Sequence, residues 1–298
     1  MIVAAVDLGS NTTRLLVSRA ENGRIEELHR ETRITRLGEG VDSRRRLLPV
    51  PIARVRNTLS DYRRTAESLG AERTLLVATS AVRDAENGEA FLGEIEWSYG
   101  FATQLLSGDE EAELTRRGVG ELGAATLLVD IGGGSTELVL GGFRTSLPMG
   151  SVRFTERHRD DADASIEAAR ALLPELEPED GVGVAATITT LAALDRGLEE
   201  YDRERVHGHV LSRDGARTQL ERLAALPLDD RRRVAALEPD RAPVIVAGGA
   251  ILVAILDRYG LESVRVSERD LLDGAALAAT ELPEPEEGAA PPGAYTCC

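Results

Sequence analysis

The sequence predicts an α/β protein made of two related lobes around a central cleft, and three observations predict it. Short, β-branched apolar runs alternate along the chain with stretches of helical spacing. A hairpin of the form Asp-x-Gly occurs twice, once at the start and once near the middle. The 298 residues suffice for two hydrophobic cores rather than one.

The first hairpin runs Val6-Asp7-Leu8-Gly9-Ser10-Asn11-Thr12-Thr13-Arg14-Leu15-Leu16. Residues 17–27 and 29–37 continue it as a strand-rich meander. Residues 50–69 form an amphipathic helix with Ile52, Val55, Leu59, Tyr62 and Ala66 on one stripe, stopped by Gly70. A buried strand over 74–79 then delivers Ser80, Arg83 and Asn87 to a strand-to-helix turn, where open α/β sheets gather their ligands. On residues alone, Arg83 is either a phosphate contact or a surface partner of Asp84 or Glu86. A strand over 101–106 ends at Ser107-Gly108. A helix follows, with Asp109 as its cap and Glu110 and Glu111 in its first turn. Acids belong at helix N-termini whatever a protein does, so capping and catalysis both stay open for this cluster.

Small residues at 120–125 mark the boundary between lobes, giving 1–121 and 122–281. Residues 127–140 are the second hairpin, in which Val129-Asp130-Ile131-Gly132-Gly133-Gly134-Ser135-Thr136-Glu137-Leu138-Val139 aligns without a gap on the first. A return strand leads to Gly150-Ser151-Val152-Arg153-Phe154. Beyond it come a helix over 165–173 ended by Pro174, a loop over 175–180, a strand over 182–186 and a helix opened by Thr187. His207 and His209 lack nearby metal-ligating partners and read as structural. Residues 243–254 are expected to be a third strand, glycine turn and helix. A last strand covers 264–267, a closing helix Leu271–Ala279, and an acidic proline-rich tail 282–298, expected to be disordered.

Each hairpin tip suits phosphate. Gly9, Ser10 and Asn11 in the first, and Gly132, Gly133 and Gly134 in the second, let the backbone approach a ligand and present successive N–H groups. Ser135 and Thr136 add hydroxyls. Asp130 and Glu137 flank the second cradle, where carboxylates beside phosphate oxygens suit a hard cation.

The net charge of −16 argues against a nucleic-acid binder. It also opposes a polyanionic substrate, so a local arginine-lined path or cation-bound substrate is required. All the basic side chains are arginine, whose fork suits phosphate. No segment approaches the apolar length of a membrane span and the chain enters a strand directly, so a cytoplasmic location is expected. The adjacent Cys297 and Cys298 in the tail read as incidental thiols.

Four ordered motifs carry a resemblance that extends from residue 2 to about residue 280: Asp7-Leu8-Gly9-Ser10-Asn11, residues 78–87 with Arg83, Ser107-Gly108-Asp109-Glu110-Glu111-Ala112, and the stretch from Asp130 to Glu137. The paired hairpins resemble the actin-like ATPase and sugar-kinase superfamily, whose lobes are ribonuclease H-like. The finer pattern resembles its exopolyphosphatase and guanosine pentaphosphate phosphohydrolase (Ppx/GppA) branch. That resemblance implies Mg²⁺-dependent hydrolysis of a terminal phosphoanhydride, with Mn²⁺ as an alternative cation. It places the general base on Glu111 and the cation on Asp130 and Glu137, with Asp7 as a third ligand. Arg83 would hold the phosphate, with Arg14 as a second candidate, although many relatives carry no arginine at that place. Relatives also often have glycine where this chain has Ala185-Ala186. In the superfamily the closing helix crosses back toward the first lobe.

Inorganic polyphosphate is the implied substrate, and guanosine pentaphosphate shares every motif. Longer members continue into helical C-terminal domains, so shorter polyphosphates are expected here. No nucleic-acid or membrane partner is expected, and a homodimer is compatible with the resemblance. A small-molecule kinase and a non-catalytic phosphate-binding module are the rival readings.

Overall fold

The structure, a computed structural model, describes residues 1–21 and 24–283. The acidic tail from residue 284 onward, with Cys297 and Cys298, lies outside the described residues. The chain divides into two compact units. The first is Met1–Gly118 together with Leu271–Cys298, and the second is Val119–Asp270.

The first unit opens with β1 (Ile2–Leu8), β2 (Thr12–Glu21) and β3 (Arg24–Ile34), then α1 (Val41–Arg44) and α2 (Pro49–Ser68). It continues through β4 (Arg73–Ala78), α3 (Ser80–Arg83), α4 (Gly88–Tyr99), β5 (Ala102–Leu105) and α5 (Gly108–Val119). Its sheet has the order β3-β2-β1-β4-β5, antiparallel across β3, β2 and β1 and parallel from β1 through β4 to β5. Val3, Ala4, Ala5 and Val6 of β1 are all fully buried, as expected of a strand covered on both faces. One cover is α2, whose Val55, Leu59, Tyr62 and Ala66 pack on Ala4, Val6 and Leu8. Tyr62 also donates its hydroxyl to the Thr13 carbonyl at 2.8 Å. α2 ends at Gly70 (φ +76), with Gly70 N–H on Glu67 O and Ala71 N–H on Ala66 O, the paired bonds that close a helix through a left-handed glycine.

The second unit contains β6 (Thr126–Ile131), β7 (Thr136–Leu140), β8 (Phe143–Leu147), α6 (Ser151–His158), α7 (Ala162–Leu172), β9 (Asp180–Val184) and α8 (Ala185–Asp195). There follow α9 (Arg203–Val206), β10 (Val210–Ser212), α10 (Arg213–Ala224), α11 (Leu228–Arg231), α12 (Ile245–Arg258) and β11 (Ser263–Val266). The sheet order is β10-β11-β9-β6-β7-β8. Read from β8 inward, an antiparallel meander β8-β7-β6 meets parallel β9 and β11, which repeats the first unit's arrangement with β10 added at the edge. Two α/β units of ribonuclease H-like strand order are therefore present.

The expected strand and glycine turn at 243–254 are instead helix: α12 starts at Ile245 and runs through Gly248 and Gly249. An unbroken apolar run carries no period that separates a buried helix from a strand. The glycines serve packing, since a Cβ on Gly248 would sit 2.7 Å from Thr187 Cγ2. The closing helix, α13 (Leu271–Ala279), belongs to the first unit and covers the second face of its sheet, where Leu271, Leu272, Ala275 and Ala276 meet Val3, Ala5, Leu75 and Val77. The histidines have structural partners: His209 Nε2 lies 2.9 Å from Asp195 Oδ2, and Glu268 N–H donates to His207 Nδ1 at 3.1 Å. No helix among the described residues is long and apolar enough to cross a membrane.

Candidate active site

In the first unit β1 brings Asp7 to the edge of a tight turn. Gly9 N–H donates to Thr12 O at 2.9 Å, and a Cβ on Gly9 would sit 3.0 Å from that same oxygen. The turn's carbonyls are tied from behind: Ser10 O accepts from Gly38 N–H at 2.7 Å, and Asn11 O accepts from the Thr35 and Arg36 amides. Among the described residues no acceptor meets the N–H groups of Ser10 and Asn11. Successive amides with their carbonyls committed elsewhere make an anion-binding concavity. Ser10 Oγ lies 2.9 Å from Ser80 Oγ, which fastens the turn to the end of β4. Asp7 stands opposite Arg14 in the β1–β2 register, and Arg14 donates from Nε to Asp7 Oδ2 at 2.8 Å. The guanidinium offered to phosphate by the sequence is thus already paired with a buried carboxylate.

Arg83 and Glu111, far apart in sequence, meet in the same unit. Arg83 Nη1 donates to Leu106 O at 2.6 Å and to Glu111 Oε2 at 3.1 Å, and Glu111 is only 6% exposed. The expected cap on α5 is corrected. Ser107, not Asp109, occupies that place, with Glu110 Oε2 accepting from Ser107 N–H at 2.8 Å and Oγ–H at 2.7 Å and Glu110 N–H returning to Ser107 Oγ. This reciprocal pair is a capping box. The backbone bond from Ser107, then its hydroxyl bond, hold the Glu110 carboxyl below its ordinary pKa. The adjacent glutamates therefore part: Glu110 closes the helix, and Glu111, one residue on, turns inward against Arg83.

The second unit rebuilds the turn. Gly132 N–H donates to Ser135 O at 3.0 Å, and a Cβ on Gly132 would lie 3.2 Å from that oxygen. The start of α6 ties the carbonyls, with Ser151 N–H on Gly132 O and the Val152 and Arg153 amides on Gly133 O. Arg153 Nε adds a bond to Gly134 O at 2.6 Å. A Cβ at Gly150 would meet Gly133 O at 2.5 Å, so the approach of α6 demands glycine there. The Gly133 and Gly134 amides meet no acceptor among the described residues. Thr136 Oγ1, by contrast, donates to Met149 O at 2.7 Å and holds the segment before α6.

Asp130 and Glu137 face each other in the β6–β7 register, 7% and 2% exposed. Ser146, opposite Glu137 on β8, donates to Glu137 Oε1 at 2.6 Å. Two carboxylates directly opposed on one face repel, and a divalent cation converts that repulsion into ligation. This donor set fits Mg²⁺, which takes one or two protein carboxylates and leaves its other positions to water and phosphate. No group of three or more His, Cys, Asp or Glu among the described residues is arranged to hold a metal. Sequence reasoning gave no role to Ser146, Gly38 or Arg153, and it placed Ser80 at the strand-to-helix turn and Ser107 within a motif without naming their partners. Only Ser107 left a local signal, the spacing Ser107-x-x-Glu110.

At the β9–α8 junction Ala185 has φ +65, in the left-handed region that favours glycine. A glycine at this position would carry no such strain. The helix begins two residues before the expected Thr187.

A family profile described as the Ppx/GppA phosphatase family matches residues 16–279. The chain is 41% identical to Exopolyphosphatase 2 of Mycobacterium tuberculosis, over 92% of this chain and 97% of that protein. It is 30% identical to the guanosine-5'-triphosphate,3'-diphosphate pyrophosphatase of Photobacterium profundum, over 92% of this chain and 58% of that longer protein. The crystal structure of an exopolyphosphatase-like protein superposes with a TM-score of 0.86 at 31% identity, covering 93% of this chain and 98% of that one.

Proposed function

The chain belongs to the Ppx/GppA phosphatase family and is a phosphoanhydride hydrolase, and from that premise we propose that it removes the terminal phosphate of inorganic polyphosphate as orthophosphate. The observation that carries the assignment of roles is the separation of Glu110 from Glu111, one spent on the capping box and the other buried beside Arg83. Glu111 orients the attacking water and takes its proton, while Arg83 fixes the Glu111 carboxylate and opposes charge on the phosphate. The amides of Ser10 and Asn11, and those of Gly133 and Gly134, bind phosphate oxygens. Asp130 and Glu137 would hold Mg²⁺, or Mn²⁺ in its place, whereas Asp7, which the resemblance offers as a third ligand, is paired with Arg14. When bound, the cation neutralises developing charge on the phosphate oxygens.

Guanosine pentaphosphate is the second substrate reading, favoured by the likeness to the Photobacterium profundum protein. Orthophosphate release from short polyphosphate, long polyphosphate and guanosine pentaphosphate, with Mg²⁺ and with chelator, ranks the substrates. Glu111→Gln is expected to lower kcat by about 10²–10⁴ with substrate binding retained. Glu110→Gln should keep kcat within about twofold and cost about 1 kcal/mol of stability, the usual worth of a cap. The reverse ranking of the two variants in kcat would overturn the choice of base.

A further inference from the structure

Between β3 and α2 the chain carries Arg44, Arg45 and Arg46 in succession, all exposed. Their neighbours are neutralised: Arg30 by Glu27 and Asp273, Arg33 by Glu31 and Asp61, and Arg54 by Glu39. The three themselves enter no ion pair or hydrogen bond through their guanidinium groups among the described residues. In a protein of net charge −16, three adjacent arginines with no ion pair among the described residues are a local excess of positive side chains.

The display is also fixed in place. Arg45 sits at φ +54, a left-handed conformation unfavourable for a residue with a Cβ. Its carbonyl accepts from Glu86 N–H at 2.8 Å, and the Asn87 side chain bonds both Leu47 N–H and Leu47 O. At the other end Val41 N–H donates to Gly38 O, and Gly38 N–H donates to Ser10 O of the first phosphate turn. Gly38 could not be larger, since its Cβ would lie 2.8 Å from Ser10 Cβ. Arg44 folds back over Gly40, with Nε 3.9 Å from where a Gly40 Cβ would be. The triplet is thus fastened to the turn through one short segment.

We infer that Arg44, Arg45 and Arg46 form an auxiliary docking site for the phosphate units behind the terminal one, so that a longer polyphosphate binds more tightly than a short one, contrary to the shorter chains that the resemblance led us to expect. The inference rests on the polyphosphate reading above. The guanidinium fork matches phosphate oxygens, and a regular polyanion can occupy three adjacent forks at once where a triphosphate has no units to spare.

The test compares tripolyphosphate with long-chain polyphosphate in wild type, in an Arg44→Gln, Arg45→Gln, Arg46→Gln triple variant and in the corresponding triple Lys variant, at low and raised salt. The Gln variant is expected to raise KM for the long chain by about tenfold, to leave KM for tripolyphosphate within about twofold and kcat unchanged, and to flatten the salt dependence. The Lys variant should recover most of the loss. An equal KM rise for both substrates, or none for the long chain, would overturn the docking site. Equilibrium binding of long-chain polyphosphate to Glu111→Gln, with and without the Gln triplet, reads the same site without turnover. If wild type releases nothing from either substrate the hydrolase assignment falls, whereas unchanged binding on removing the triplet overturns the docking site alone.

Discussion

The two glycine hairpins share one backbone and differ in charge, the first carrying an acid and a base at matching places and the second two acids. Both close with a glycine N–H on the carbonyl three residues on, at 2.9 Å in one and 3.0 Å in the other. Both place an aspartate opposite the residue seven positions later, Asp7 opposite Arg14 and Asp130 opposite Glu137. In the first the aspartate meets a guanidinium, and in the second a carboxylate. A duplicated scaffold thus provides one turn whose aspartate is paired with an arginine and one in which two buried acids stand opposite each other. Shared backbone geometry presents two successive amides in each turn, and on the proposed reading a single side-chain difference directs the cation to one copy.

The largest effect that would break this contrast comes from removing each aspartate's charge. Asp130→Asn is expected to lower phosphate release by about 10²–10³ and to raise the Mg²⁺ concentration for half-maximal rate. Asp7→Asn should leave that concentration within about twofold, and an equal shift for both variants in initial rates against Mg²⁺ would erase the distinction. Next come the glycines behind the turns. Gly150→Ala drives a methyl into backbone at 2.5 Å, and Gly38→Ala into a side chain at 2.8 Å. Urea unfolding should show a loss of about 3 kcal/mol for the former and about 1–2 kcal/mol for the latter. The reverse order would mean the first turn is the more rigid. The smallest effect lies at the strand-to-helix junctions. Ala185→Gly relieves a left-handed strain and should raise stability by about 0.5 kcal/mol, while Ser80→Gly, at the matching place, should lower it by about 1 kcal/mol through loss of the Ser10 hydroxyl bond. Thermal midpoints of the two variants should move in opposite directions.

Much of this was legible in the residues. The ungapped alignment already set Arg14 against Glu137, and antiparallel pairing across a short turn makes each face the aspartate of its own hairpin. The alternation of strand and helix gave the fold class. Hidden features depended on distant atoms or on choices between equal local signals. Ser107 and Asp109 are both good caps, and only the return bond from Glu110 decides between them. The run Ile245–Leu256 is apolar on every side, so its helix left no period. The need for glycine at 150 arises from Gly133, seventeen places earlier, which no local pattern reports. The inward turn of Glu111 required knowing that α5 passes Arg83.

The return of α13 to the first sheet governs the order in which the protein can be made. Val3, Ala5, Leu75 and Val77 leave the ribosome early, yet the helix that covers them is at 271–279. All of Val119–Asp270 must be translated in between, which at about 5–20 residues per second takes on the order of 10 s. The second unit is continuous in sequence and can complete its core first, while the unit bearing Glu111 waits with an apolar face open. Gly274 of α13 lies so close to Leu114 O of α5 that a Cβ there would be 1.9 Å away. The helix carrying the proposed base therefore meets its last packing partner only after residue 271 has been made.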